Sequence, residues 1–275
     1  MSEFSIEVWG ARGSVPASHP DMSRGGCNTT CLRITIDGAT VVLDAGTGIV
    51  PLGWQLVERG VTDISLFLTH YHFDHVQGLN FFAPLSDQAT RLAIHGGPVV
   101  GADTPAQALD ALFAPPFCPN RLDTHPATVT LHGFADGRPV ALPGGATLLP
   151  VALNHPGGAY GFRISHGGRI FAFAPDFELG DARGDAALAR LVSRADLALL
   201  DAMLGAGDIA RCRGYGHSHW HDVDRLCARN GVRDWRMMHH APTRSDAALD
   251  AAEAELRASS PHSGAARERD RFVLL

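Results

Sequence analysis

The sequence contains no lysine, so all 23 of its basic residues are arginines. This absence excludes reactions that use a lysine Schiff base, and it excludes a phosphate-binding P-loop, which requires a lysine. The 29 acidic residues give a formal net charge of -6. Because nucleic-acid-binding proteins carry a basic face, this charge argues against a long nucleic acid as partner.

The sequence also lacks long apolar runs and an obvious cysteine framework. No apolar run reaches membrane-spanning length, and residues 1–4 lack the basic and then apolar pattern of a signal peptide. We therefore expect a cytoplasmic protein with no membrane partner. The five cysteines are scattered and match no zinc-ribbon spacing. Cys27 and Cys31 lie close together, but we expect both to be reduced in this compartment.

Segments typical of strands alternate with segments typical of helices along all 275 residues. Two strand-rich halves, each ending in helices, are typical of a sandwich of two mixed sheets. No linker interrupts the pattern, so we predict one domain spanning residues 1–275. Strands are predicted at residues 4–9, 31–36, 40–43, 64–68, 92–95, 127–131, 146–152, 160–165, 169–174, 197–200 and 236–238, and helices at 53–59, 104–113, 185–195, 221–230 and 245–258.

One segment places three histidines and an aspartate within six positions, directly after the predicted strand 64–68. Alternate residues of an extended chain point to the same side, so His70 and His72 can face one point in space. Asp74 and His75 lie beyond the turn and can face a second point. Imidazole and carboxylate ligands suit a borderline divalent cation, with zinc as the default. The segment therefore predicts two neighbouring metals.

Further candidate ligands also follow predicted strands. They are His155, Asp176 and one of the adjacent His239 and His240. Neighbouring residues at a strand end point in opposite directions, so only one member of the His239–His240 pair can bind a metal easily.

The H-x-H-x-D-H pattern of residues 70–75 resembles the signature of the metallo-β-lactamase superfamily, and motifs at residues 154–158, 175–177 and 239–242 extend this resemblance over nearly the whole chain. It implies an α/β (α+β) fold, a four-layer αββα sandwich of two mixed sheets with a binuclear metal site at one edge. It also implies the ligands: His70, His72 and His155 for one metal, Asp74, His75 and His239 for the other, and Asp176 as a bridge. The choice of His239 over His240 follows the family's H-x-x-P spacing to Pro242.

Asp44 in the segment 43–48 resembles an early D-x-G element of the family, where the aspartate accepts the other N–H of a ligand histidine. The alternative is an aspartate that caps a turn.

Two features resemble the phosphodiesterase branch of this superfamily, which includes ribonuclease Z and related cyclic-nucleotide phosphodiesterases. The first is an aspartate, not a cysteine, at position 176. The second is the element Gly216-His217-Ser218, whose histidine in that branch clamps a phosphoryl oxygen and protonates the leaving alkoxide. A helix-capping or surface histidine is the alternative for His217 and is the favoured interpretation of His219 and His221.

The opening residues 9–16 and 25–31 also resemble phosphodiesterase-like bacterial hydrolases. Within them, Arg12 either pairs with a substrate phosphate or supports the glycine-rich loop.

The resemblance predicts a hydrolase of small phosphodiesters, cyclic nucleotides included, with a metal-bridging hydroxide as nucleophile and Asp74 and His217 as catalytic residues. Two divalent ions, zinc first and manganese or iron as alternatives, leave the pocket net positive and favour a small anionic substrate. The sequence shows no tRNA-binding arm between residues 96 and 144, so tRNA is not expected. A thioesterase or lactonase, a mononuclear iron oxygenase and a non-catalytic metal-bound binding protein are the alternatives. The family resemblance also allows a homodimer.

Overall fold

Fourteen strands and six helices are assigned in the computed structural model, which describes residues 2–116, 118–205 and 212–275. The strands are β1 (Phe4–Gly10), β2 (Cys31–Ile36), β3 (Ala39–Leu43), β4 (Asp63–Leu68), β5 (Arg91–Gly96), β6 (Thr128–Gly133), β7 (Val140–Ala141), β8 (Thr147–Leu153), β9 (Ala159–His166), β10 (Arg169–Ala174), β11 (Leu197–Asp201), β12 (Trp235–Met238), β13 (Gly264–Ala265) and β14 (Arg271–Val273). The helices are α1 (Ile49–Glu58), α2 (Phe73–Val76), α3 (Pro105–Leu112), α4 (Ala182–Val192), α5 (Trp220–Arg229) and α6 (Asp246–Ser259).

The strands form two seven-stranded mixed sheets, with orders β14-β1-β2-β3-β4-β5-β6 and β13-β12-β11-β10-β9-β8-β7. In the first sheet, the strands from β3 to β6 are parallel and the remainder pair antiparallel. In the second sheet, the strands from β10 to β13 are parallel. Each sheet therefore contains a parallel half, whose strands end at one edge of the sheet.

Three apolar clusters separate four layers. On β4, the side chain of Phe67 packs between the two sheets, while Leu66 and Leu68 pack with helices α1 and α3 on the other face. This alternation follows from the two-residue period of a strand. The outer face of the second sheet packs against α4, α5 and α6 through residues such as Leu191 and Leu249. The predicted four-layer αββα sandwich is confirmed.

The predicted helices and strands differ from the structure mainly at their ends. Helix α1 begins at Ile49 rather than residue 53, because Pro51 fits the first helical turn, where its missing N–H is not needed. Helix α4 begins three residues earlier than predicted, since the Asp181 side chain accepts a hydrogen bond from the N–H of Gly184 and caps it there. The short strands β7, β13 and β14 were not predicted.

From the composition we expect no membrane-spanning helix and reduced cysteines. Within the described parts of the chain, no helix combines the length and apolar character needed to cross a membrane. The five cysteines are all free, Cys27 and Cys31 included.

Candidate metal centre

The predicted ligands lie at the carboxyl ends of strands from both sheets. The loop after β4 carries the residues from His70 to His75, and Asp44 follows β3 beside it. In the second sheet, Asp176 and His239 follow β10 and β12, and His155 follows β8. The two sheets thus bring side chains that are far apart in sequence to one edge of the sandwich.

A first group consists of His70, His72 and His155, whose ligand nitrogens all lie within 4.8 Å of one another. Nε2 of His155 lies 3.1 Å from Nδ1 of His72. Burial lowers the pKa of all three imidazoles, so they are held in the neutral form that binds metals. Nε2 of His70 is buried without a hydrogen-bond partner. Such a cluster of facing lone pairs fits a divalent cation.

A second group consists of Asp74, His75 and His239. Nε2 of His239 lies 3.1 Å from Oδ2 of Asp74 and 3.4 Å from Nε2 of His75. Asp176 lies between the two groups, because it clusters with His70 of the first and His75 of the second. Its Oδ2 is 2.9 Å from Nε2 of His75, and its Oδ1 is 3.3 Å from Nε2 of His239.

Of the two adjacent histidines, the structure brings His239 to this group and turns His240 away. Nε2 of His240 lies 2.7 Å from the carbonyl oxygen of Ala266, and burial lowers the pKa of His240 to about 3. The opposite directions are those expected for neighbours at a strand end.

Asp44 is fully buried behind the second group. Its Oδ2 lies 2.9 Å from Nδ1 of His75, so the imidazole N–H donates to it and Nε2 is left for a metal. Thr69 donates to Asp44 through both its backbone N–H and its hydroxyl. The same hydroxyl lies 3.0 Å from Nδ1 of His70. Asp44 and Thr69 therefore connect one histidine of each group, which a turn-capping aspartate would not do.

Position 216, directly before His217, requires a glycine. Its carbonyl oxygen accepts a hydrogen bond from Nδ1 of His155 at 2.9 Å, which turns Nε2 of His155 towards the first group. The backbone adopts φ of 84°, and a Cβ atom at this position would lie 2.2 Å from Nδ1 of His155. Only glycine allows this close approach.

His217 lies beside both groups. Its ring centroid is 5.0 Å from that of His239 and 5.6 Å from that of His155. Its Nδ1 lies 2.6 Å from Oδ2 of Asp201 and 3.6 Å from Oδ1 of Asp176. Burial lowers the pKa of His217, but the neighbouring carboxylates, Asp201 first and then Asp176 and Asp74, together outweigh burial and raise this pKa to about 9.

The loop that carries His217 is fixed to the loop that carries Asp176. The Ser218 hydroxyl donates to the carbonyl oxygen of Phe177 at 2.8 Å, and the Glu178 carboxylate accepts the N–H groups of Gly214 and Gly216. The next histidines do not enter the centre: Nδ1 of His219 accepts the N–H of His221 and caps α5, as expected.

Arg12 is placed differently from its predicted role in substrate binding. Its side chain is buried, and its guanidinium donates to the carbonyl oxygens of Gly26, Ala241 and Arg244. With Nε and Nη1 bonded to backbone oxygens and the side chain buried, Arg12 supports the glycine-rich loop and does not face a substrate. The structure thus corrects the phosphate-pairing prediction in favour of its alternative.

Three residues near the centre were missed by the sequence analysis: Thr69, Glu178 and Asp201. Asp201 and Glu178 both lie at or just after the end of a buried strand, as the recognised ligands do, so this position was the available signal. Thr69 directly precedes the first ligand, and no feature of its own distinguishes it from other strand-end threonines.

A family model described as the beta-lactamase superfamily domain matches residues 39–240. The chain belongs to this superfamily. The resemblance indicated by the motif at residues 70–75 is therefore confirmed. No curated relative matches the sequence.

Solved structures show the same fold at low sequence identity. The metallo-β-lactamase fold protein YhfI from Bacillus subtilis is 16% identical, with a TM-score of 0.75 over 99% of this chain and 100% of that chain. A diphosphatase from the PhnP family is 17% identical, with a TM-score of 0.72 over 98% and 97% of the two chains. The short form of human tRNase Z is 15% identical, with a TM-score of 0.64 over 98% of each chain.

Proposed function

We propose that the chain is a binuclear metal-dependent hydrolase of small phosphodiesters, with cyclic nucleotides among the candidate substrates. Zinc is the expected metal because the candidate ligands are imidazole nitrogens and carboxylate oxygens, and manganese or iron are alternatives. The residues that would hold the metals are His70, His72 and His155 for one ion and Asp74, His75 and His239 for the other, with Asp176 shared between them.

When bound, two such cations would lower the pKa of water and neutralise charge on the attacked group, which is the chemistry of metal-assisted hydrolysis. Among the candidate ligands, only Asp74 and Asp176 carry negative charge against the four positive charges of two divalent ions. Asp44 and Asp201 lie behind the ligands, each paired with a histidine. The ligand set itself therefore stays positive, which favours a small anionic ester.

The position of His217 carries the assignment to phosphodiesters. Because Nδ1 is bonded to Asp201 at 2.6 Å, Nε2 is the atom that can donate to a phosphoryl oxygen or to the leaving group. An alkoxide leaves poorly without a proton, and an imidazole held in its protonated form by a carboxylate can supply one. The ring lies beside one histidine of each metal group, where a substrate bound at the centre would meet it.

The names of two compared structures support a phosphate-containing substrate. They are a diphosphatase and a tRNase. The acidic net charge of this chain favours a small ester over tRNA.

The test is turnover of bis(p-nitrophenyl) phosphate by protein of known metal content, beside a thioester and a β-lactam. We expect phosphodiester cleavage with about two metal ions per chain. Cleavage of the thioester or the lactam alone would show that the resemblance at residues 216–218 had misled the assignment.

A further inference from the structure

A cavity of about 670 Å³ lies next to the candidate metal centre, and none of the metal-binding candidates lines it. It is formed by residues of α2 and the turn that follows, and by α3 and the loop after it. Its volume is within the range of pockets that bind small molecules.

Helix α2 forms a wall shared by the cavity and the metal centre. Phe73, Val76 and Gln77 line the cavity, whereas Asp74 and His75 belong to the second metal group. Since helical residues are about 100° apart, these two sets point to different sides of α2. Phe73 is 66% exposed and directly follows His72, which is also exposed. The cavity and the centre therefore approach each other at the protein surface near Phe73.

The walls of the cavity are aromatic and apolar. Tyr71, Phe73 and Phe81 contribute ring surfaces, and Leu109 and Leu112 contribute aliphatic surface from α3. Phe81 is 71% exposed, so most of its ring is left uncovered by the described parts of the chain. Aromatic walls of this kind favour a flat ring that can stack on them.

The cavity also offers hydrogen-bonding groups without charge. The Gln77 amide nitrogen donates to the Thr29 hydroxyl, which leaves the Gln77 carbonyl oxygen as an acceptor. Oδ1 of Asn80 lies 3.6 Å from Sγ of Cys118, whose thiol also lies 3.1 Å from the carbonyl oxygen of Asn120 and can donate there, so the Asn80 amide can offer its N–H groups to a ligand. Among the described residues that line the cavity, none is an aspartate, glutamate or arginine, and the lining includes the imidazole of His125. A purely apolar ligand would leave the amides unpaired, and a cationic group would find no carboxylate.

We propose that this cavity binds a neutral, planar heteroaromatic ring of the nucleobase type, carried by the phosphodiester whose phosphate lies at the metal centre. The inference rests on the proposed function and specifies its substrate class. The aromatic walls stack on the ring faces, while Gln77 and Asn80 offer an acceptor and a donor to the ring edge. Nucleobases present such paired donors and acceptors.

Calorimetric titration with adenosine tests the cavity separately from catalysis, because adenosine has no phosphate. We expect metal-loaded protein to bind adenosine, and Phe81→Ala to weaken binding by about tenfold, the effect of losing one stacking aromatic ring. Trp54→Ala is the matched control, since Trp54 is 63% exposed and does not line the cavity. Failure to bind adenosine, or equally tight binding of naphthalene, would overturn the inference.

Kinetics then connect the cavity to the reaction. We expect a higher kcat/KM for thymidine 5′-(p-nitrophenyl) phosphate than for methyl p-nitrophenyl phosphate, and we expect Phe81→Ala to reduce this preference by about tenfold. Equal turnover of the two esters overturns the nucleobase inference and leaves the proposed function intact, whereas turnover of neither contradicts the proposed function. Dissociation of a dimer by Phe81→Ala in sedimentation would identify the cavity as an interface and also overturn the inference.

Discussion

Nδ1 of His217 lies 2.6 Å from Oδ2 of Asp201, the last residue of strand β11. Asp201 is fully buried and also accepts the backbone N–H of Ser218, so it fixes both the ring and the chain that carries it. Asp201 therefore orients the imidazole of His217, the candidate general acid, and favours its protonated form.

The first prediction concerns this pair. Asp201→Asn keeps the size of the side chain but removes the charge that favours a protonated imidazole. We expect it, like His217→Ala, to slow an alkyl phosphodiester such as a cyclic nucleotide by about 100-fold. An activated aryl ester should be slowed much less, because its leaving group needs no proton. Steady-state rates on both esters measure the difference. Metal content should remain that of the unaltered protein, and equal losses on the two esters would remove His217 from the acid role.

Most of the fold was predictable from the sequence because each long element has its own period. The alternation around Phe67 in β4 marks a strand with two buried faces, and the cap at Thr104 marks helix α3. Strands such as β13 and β14, with two and three residues, are too short to show a period. Their pairing depends on neighbours that are distant in sequence.

The candidate site was predictable where a dense local pattern marks it, as at residues 70–75. Asp201 was not predictable, because a single aspartate at a strand end resembles any turn residue. Only the fold shows its partner, His217, which lies sixteen positions away in the sequence. For Arg12 the sequence left two roles open, since the motif does not determine which oxygens face the guanidinium. The three carbonyl oxygens bonded to it decide the question.

The second prediction concerns Asp44, which accepts the N–H of His75. Asp44→Asn places an amide where a carboxylate orients this histidine, so we expect affinity for the second metal to fall by about 10- to 100-fold. Metal titration of the metal-free protein measures the change. Asp63→Asn is the control, because its side chain is 67% exposed and starts strand β4, far from the site. Unchanged affinity for the second metal in Asp44→Asn would show that Asp44 only caps a turn.

A third prediction separates the hydroxyl of Thr69 from its size. Thr69→Val removes the hydroxyl that lies 3.0 Å from Nδ1 of His70 and that donates to Asp44 at 2.9 Å. We expect both metals to bind more weakly, by about tenfold, because the hydroxyl contacts the support of both groups. Thr69→Ser keeps the hydroxyl and should bind both metals normally. The hypothesis fails if valine and serine behave alike in the same titration.

The fourth prediction assigns Arg12 to stability. Arg12→Met leaves three carbonyl oxygens without their charged donor, so we expect the free energy of unfolding to fall by about 3 kcal/mol. Urea denaturation measures the change, with Arg138→Met, an exposed arginine, as the control. KM for bis(p-nitrophenyl) phosphate should stay the same in the folded fraction. A raised KM with unaltered stability would restore Arg12 as a phosphate-binding residue.

The last prediction concerns the metals and the residue between them. Buried imidazoles that face one another lose their common partner when metal is removed, so chelation should lower the melting temperature. At a metal concentration 1,000 times Kd, the bound form gains about 4 kcal/mol. Asp176→Asn removes the charge next to His75 and His239, and we expect it to abolish hydrolysis, lower the metal content and shrink this thermal shift by half or more. Asp63→Asn should keep the full shift. An Asp176→Asn protein that binds both metals and melts like the unaltered chain would show that this carboxylate is not shared between them.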